Sequence, residues 1–318
     1  MHSINDLAQT IKSMNKIYII THMFPDGDAL GSAFSLCRML QKIGKQATVL
    51  LGNEIPKKFE FMKEYIEPQI FKEEYIISVD LASNSLLEPS LEKYASKIDL
   101  CIDHHISNRK FAALNYIDPT AAANSEIIYD LIELLNVPID KYIAEGLYIG
   151  ISSDTGCFRY SNTTYKSHEI AAKLMKQGVA VSRINEKLFT LKSKKILEIE
   201  KLLNQNIKYF ADGQLAITFI TLKDLQKYNI KDNECDGIAS IPIRIEGVNV
   251  GITLREKSPD NYKVSVRTSE EVNANNVASM FEGGGHFRAA GFSIQGKINE
   301  IINEIANAVL TYLGWENK

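Results

Sequence analysis

The feature that most constrains this chain is a series of short, continuous apolar runs, three of which end in acidic or imidazole side chains. Residues 17–21, 47–51, 75–79 and 100–102 are dense in Ile, Val and Leu and read as β-strands. Their apolar residues run on without alternating, so each strand is covered on both faces, as in a mainly parallel sheet flanked by helices. A helix over residues 28–43, stopped by Gly44, follows the first strand, and amphipathic helices over 121–135 and 142–153 follow the last.

The texture changes further on. Residues 164–206 read as almost wholly helical, with Thr164 as a cap and Gly178 as a stop. After them come a hairpin (207–210 and 214–220, turning at Asp212-Gly213), strands at 248–255 and 262–267, a short helix near 275–281, a glycine run and a terminal helix at 298–313. A chain of 318 residues is long enough for two domains. The expected fold is therefore an α/β domain with a mainly parallel sheet (1–190), a connecting helix (191–206), and a smaller α+β domain with a mostly antiparallel sheet (207–318).

The chemistry collects at the strand ends. The first strand leads into Thr21-His22-Met23-Phe24-Pro25-Asp26-Gly27-Asp28, the 75–79 strand into Asp80, and the strand through Ile102 into Asp103-His104-His105. Asp154 follows the 142–153 helix. In open α/β sheets ligands bind outside the carboxyl ends of the strands, where these groups converge. Any one of them has a plain reading: Asp26 and Asp80 as turn or cap residues, a histidine as a hydrogen-bonded core residue. Together they are harder to dismiss, because crowded carboxylates repel one another or are forced to protonate unless cations neutralise them. A ligand set of carboxylate and imidazole without thiolate favours Mn²⁺ or a similar ion, with Mg²⁺ or Co²⁺ as alternatives, over structural zinc. Two such ions ~3.5–4 Å apart polarise phosphoryl oxygens and activate water. That spacing needs a bridging carboxylate, for which Asp80 is the candidate.

The later domain contributes Glu282-Gly283-Gly284-Gly285-His286-Phe287-Arg288. Successive glycines let backbone N–H groups face an anion, so Gly284, Gly285, His286 and Arg288, with Arg267 late in its strand, are candidate substrate contacts. Gly27-Asp28-Ala29-Leu30-Gly31-Ser32 is not a nucleotide loop, since it lacks the Gly-Lys-Ser/Thr ending.

Composition narrows the partners. The net charge of −3 provides no chain-wide field for long nucleic acid. The four cysteines form no Cys-x-x-Cys pair, no run reaches the ~18 apolar residues of a membrane span, and no signal-peptide pattern opens the sequence. A cytoplasmic protein without a membrane partner is expected.

The ordered set His22-x-x-x-Asp26-x-Asp28, Asp80, Asp103-His104-His105 and Asp154, followed by Gly283-Gly284-Gly285-His286 and Ala289-Ala290-Gly291, resembles the DHH phosphoesterase superfamily with its associated second domain. Residues 154–163 resemble the fourth motif of its stand-alone oligoribonuclease and pAp phosphatase group. The resemblance implies His22 and Asp26 on one metal, Asp28, His104 and Asp154 on another, and Asp80 between them. It implies Asp103 as the partner orienting the histidines, His105 on the scissile phosphate, and Arg159 and Asn108 as further substrate contacts. It also implies a homodimer that hydrolyses short oligoribonucleotides or pAp, held from across a two-domain cleft. The alternatives are a linear or cyclic dinucleotide phosphodiesterase and, from another class, a non-catalytic nucleotide-binding sensor. One departure stands out: Glu282 occupies a position that is glycine in many relatives.

Overall fold

A computed structural model describes residues 3–52, 55–230, 235, 237–285 and 287–316. The chain divides into two compact units, Met1–Leu191 and Lys192–Lys318.

The first unit is built from α1 (Ile4–Ser13), β1 (Ile17–Ile20), α2 (Gly27–Lys42), β2 (Ala47–Val49), β3 (Tyr75–Val79), β4 (Leu100–Asp103), β5 (Leu114–Ile117), α3 (Asn124–Leu134), α4 (Lys141–Asp154), α5 (Tyr165–Lys176) and α6 (Val181–Asn185). Its five strands run in the order β2-β1-β3-β4-β5, and every pairing is parallel. The inner strands are buried on both faces, which is why their sequences are continuously apolar. One face packs against α2, α3 and α4 through Leu30, Phe34, Ile127 and Leu147, among others; the other is covered by Leu87, Leu91, Tyr94 and their neighbours. The fifth strand is a short, half-exposed edge with the sequence Leu-Asn-Tyr-Ile, too weakly patterned to be expected from sequence.

Close approach of α2 and α4 sets the geometry of this unit. A Cβ on Gly31 would lie 2.4 Å from the carbonyl oxygen of Gly146, and one on Gly27 would lie 1.8 Å from Ser153 Oγ. Only glycine lets the two backbones come this near. The consequence is that Asp28, near the start of α2, lies beside Asp154, the last residue of α4.

The second unit comprises α7 (Lys194–Gln205), β6 (Lys208–Phe210), β7 (Leu215–Ile220), α8 (Leu222–Lys227), β8 (Val250–Ser258), β9 (Asn261–Thr268), α9 (Ala274–Ser279), β10 (Gly284–Gly285), β11 (Ala289–Gln295) and α10 (Ile298–Leu313). Its six strands run β10-β11-β9-β8-β7-β6, antiparallel except for the β7–β8 pair. Helix α10 buries Ile301, Ile302, Ile305 and Val309 against this sheet. Between residues 164 and 206 the chain forms separate helices, as the Gly178 stop implies, and α7, the expected connecting helix, falls within the second unit.

Candidate metal centre

The carboxyl ends of β1, β3 and β4 and the end of α4 deliver one cluster. Asp26 caps α2, its Oδ1 accepting from the N–H groups of Asp28 (2.9 Å) and Ala29 (3.1 Å). The plain cap reading of this residue is thus correct, and its other oxygen is still left over for a ligand. Asp28 is fully buried and serves as the cap that α3 lacks, since the N-cap residue Ala123 supplies no side-chain bond. Its Oδ2 accepts from Asn124 N–H (2.5 Å), and its Oδ1 from Ser125 N–H (2.9 Å) and Ser32 Oγ (3.3 Å). Burial raises the Asp28 carboxyl above its usual range, and His104 and the Ser125 bonds at the positive end of α3 oppose that shift.

Asp80 follows β3 with φ +53°, a left-handed conformation that non-glycine residues avoid, held by its N–H donating to Ile102 O at 3.0 Å. His104 places Nδ1 3.1 Å from Ala121 O, which fixes the proton on Nδ1 and points Nε2 into the cluster. That Nε2 lies 3.3 Å from Asp154 Oδ2, 3.5 Å from Asp80 Oδ1 and 3.9 Å from Asp28 Oδ2. His105 Nδ1 lies 2.7 Å from Asp103 Oδ1 and 3.6 Å from Asp80 Oδ1. Three overlapping groups have ligand atoms within 4.8 Å of one another: His22, Asp26 and Asp80; Asp28, His104 and Asp154; and Asp80, His104 and His105.

The electrostatics are those of a site built for cations. Burial and then the Asp28 charge push the Asp80 carboxyl well above the usual range. The same two causes, in the same order, raise Asp154 to about 7. Burial alone would push the His104 imidazole down, yet the surrounding Asp154, Asp80 and Asp28 carboxylates hold it up to about 12. Asp80 Oδ1 and His104 Nε2 are buried and form no well-aligned hydrogen bond, only ion-pair contacts of 3.3–3.9 Å. Such orphans are costly unless something else satisfies them. Divalent cations fit this donor set, because they take the unpaired imidazole nitrogen and relieve the carboxylate repulsion together.

Asp103 is pulled below the usual range despite burial, because His105 and Asn108 favour its charged form. Asn108 commits its amide inside the protein: Nδ2 donates to Asp103 Oδ2 (2.6 Å) and Leu81 O (3.0 Å), and Oδ1 accepts from Lys110 N–H. Both Nδ2 hydrogens thus go to protein acceptors, and through one of them Asn108 positions Asp103. Arg159 donates Nε to Gly156 O (2.6 Å). The structure also corrects the position of Asp154, which is the last residue of α4 and does not follow the helix.

Sequence reasoning missed Ser32, Ser125 and Asn162. The last donates to both Ala122 O (3.0 Å) and Asp154 O (3.2 Å), tying the Asp154 backbone to the segment that receives His104. Nothing in the local pattern marks the two serines, whereas Asn162 lies within the 154–163 motif without having been assigned a role. The Gly27-x-x-x-Gly31 and Gly146-x-x-x-Gly150 spacings carry a signal for the close helix pair that the sequence reading did not use.

In the second unit, Arg267 on β9 faces Ala289 across the ladder, and Arg288 donates Nε to Thr268 O (2.8 Å), so both arginines lie at one end of the β9–β11 pair. Arg288 also lies 3.4 Å from Glu270. Gly285 N–H donates to Asn275 Oδ1 (2.9 Å). A Cβ on Gly283 or Gly285 would strike β11, whereas one on Gly284 would meet only Asn275 Oδ1, at 3.7 Å. His286 lies outside the described residues. Glu282 sits at φ +58°, where glycine is favoured.

The sequence pattern described as DHH family, N-terminal domain, matches residues 16–151, and the DHHA1 domain matches 212–311. The chain is 31% identical over 91% of its length, and 88% of the relative's, to the bifunctional oligoribonuclease and PAP phosphatase NrnA of Thermus thermophilus. The chain belongs to the DHH family. This DHH chain is also 30% identical, over 92% of its length and 93% of the relative's, to the probable bifunctional oligoribonuclease and PAP phosphatase NrnA of Streptococcus mutans. A solved exopolyphosphatase-related protein from Bacteroides fragilis superposes on the DHH chain with a TM-score of 0.87 at 25% identity, covering 97% of this chain and 96% of the other. As a DHH protein it is a hydrolase of phosphoester bonds. No helix among the described residues is long and apolar enough to cross a membrane.

Proposed function

We propose that this chain is a two-metal phosphoesterase that hydrolyses short oligoribonucleotides to mononucleotides and dephosphorylates 3′-phosphoadenosine 5′-phosphate (pAp). The observation that carries the reading is the pair of buried orphan atoms, Asp80 Oδ1 and His104 Nε2, inside a ring of carboxylates. The NrnA relatives, similar along nearly the whole chain, supply the substrate class.

In this reading His22 and Asp26 hold one ion, Asp28, His104 and Asp154 hold the other, and Asp80 serves both. Bound there, a divalent pair supplies Lewis-acid polarisation of a phosphoryl oxygen and acidifies water. Mn²⁺ suits the oxygen and imidazole ligands, with Mg²⁺ or Co²⁺ as substitutes. The chain's own residues do the rest. Asp103, locked by Asn108, keeps a proton on His105 Nδ1, and the oriented imidazole contacts the scissile phosphate. Arg267, Arg288, Gly284, Gly285 and His286 bind the remaining phosphate and sugar. The protein works as a cytoplasmic homodimer, in keeping with its free cysteines.

The test is turnover with Mn²⁺ of di- to tetraribonucleotides and pAp, beside pGpG and cyclic di-AMP. Release of mononucleotides or of phosphate from pAp is expected. Turnover confined to pGpG or cyclic di-AMP, or binding without any hydrolysis, refutes it.

A further inference from the structure

Each loop that carries a candidate ligand also presents one large apolar side chain to solvent. Phe24 lies between His22 and Asp26 and is 72% exposed, and Ile106 directly follows His105 and is 83% exposed. Leu86 after β3 and Tyr160 after α4 are exposed too. Among the described phenylalanines of the first unit, Phe24 alone is classed as exposed; the others are buried or half-buried. These loops are fastened together, Met23 N–H donating to Leu86 O (2.8 Å) and Arg109 N–H to Ala82 O (3.0 Å). Pro25 further restricts the backbone at Phe24, so the ring is carried on a stiff, tethered loop.

A nucleotide has two chemically opposed ends, an anionic phosphate and a flat base with an apolar face. The carboxylate ring, once neutralised, suits the first and offers nothing to the second. Phe24 is two residues from each of two candidate ligands, a backbone span of at most about 7 Å. That is a reach comparable to the one from a phosphate to the base it carries.

We infer that Phe24 is a nucleobase-binding residue of this centre: its ring is a stacking platform for the base next to the phosphate under attack, with Ile106 extending the apolar shelf. The inference rests on the phosphoesterase reading and adds to it the element that recognises a nucleotide over a bare phosphate. Stacking is sequence-tolerant because every base has a π-face, so the platform gives a preference for nucleotides without a preference among them.

The test uses the Mn²⁺-loaded protein and a diribonucleotide with a phosphorothioate linkage and 2-aminopurine in place of one base, whose fluorescence is quenched on stacking. Quenching on binding to the unsubstituted protein is expected. Phe24→Ala is expected to abolish the quenching and to raise Kd about 5- to 160-fold, the range for losing one aromatic–base stack. Phe24→Trp is expected to restore both, a rescue that a merely structural role would not give. With normal diribonucleotides, KM is expected to rise more than kcat falls.

Unchanged Kd and quenching in Phe24→Ala, in a protein that still hydrolyses diribonucleotides, overturns this inference and leaves the phosphoesterase reading standing. Failure of the unsubstituted protein to bind or hydrolyse any nucleotide overturns both. A Phe24→Ala variant that alters only self-association, with nucleotide binding intact, assigns the ring to a contact between copies and also overturns it.

Discussion

Replacing Gly31 by alanine perturbs the helix contact on which the metal centre depends. The new Cβ would lie 2.4 Å from Gly146 O and 3.0 Å from Gly150 N, against 3.4 Å where ordinary contact begins. Both obstacles are backbone and cannot rotate aside, so α2 and α4 must part by about 1 Å. Overpacking of this kind costs about 1–3 kcal/mol, and alanine returns about 0.5–1 kcal/mol of helix propensity. The net loss is about 0–2.5 kcal/mol, which at about 2–4 °C per kcal/mol for a unit of this size lowers Tm by up to about 10 °C. Because α2 carries Asp28 and α4 ends in Asp154, the same movement spreads a ligand group and should weaken divalent-metal binding about 10- to 100-fold. Thermal melts of the metal-free protein and calorimetric titration with Mn²⁺ read the two effects separately. Gly44→Ala is the control: nothing lies within 4 Å of its Cβ, so the cost comes only from its φ of +79° and metal affinity should stay within about two-fold. A Gly31→Ala protein with wild-type Tm and wild-type metal affinity refutes the argument.

Asp80→Asn removes a carboxylate raised by burial and by the Asp28 charge, so it should stabilise the metal-free protein. The stabilisation by Mn²⁺, about 2.7 kcal/mol at a hundred-fold excess over Kd, should shrink by more than half in melts of the same variant. Asp140 caps α4 and pairs with Arg38 and Lys42. Burial pushes its carboxyl up, but the Ile143 N–H, Lys42 and Arg38 together hold it below the usual carboxylate range. The stability it contributes is present above the unfolded pKa and is lost as pH falls through the lower folded value. Asp140→Ala should therefore cost about 1–2 kcal/mol in denaturant melts at neutral pH, with the gap to wild type closing toward pH 3; an undiminished gap would refute the assignment. Glu282→Gly relieves a left-handed residue and should raise stability by about 0.5–1 kcal/mol, measured as a higher denaturation midpoint.

The strands that end in His22, Asp80 and Asp103 were visible in the sequence because a strand buried on both faces writes a continuous apolar run and then stops. Strand β5 was invisible because an edge of four half-exposed residues writes no such run, and β10 because two glycines have no strand propensity. The glycine run itself proved partly structural. Gly283 and Gly285 are needed where β10 meets β11, and Gly284 alone has open space where a side chain would be.

What the sequence alone determined is which side chains reach the carboxyl edge of the parallel sheet, since a chain's alternation between strand and helix is a local property. Tertiary structure decided that Asp28 caps a helix starting 96 residues later, that Asn108 holds Asp103, and that Asp28 and Asp154 share one group of ligand atoms. These facts depend on backbones touching across long stretches of chain, and local periodicity carries no record of such distances.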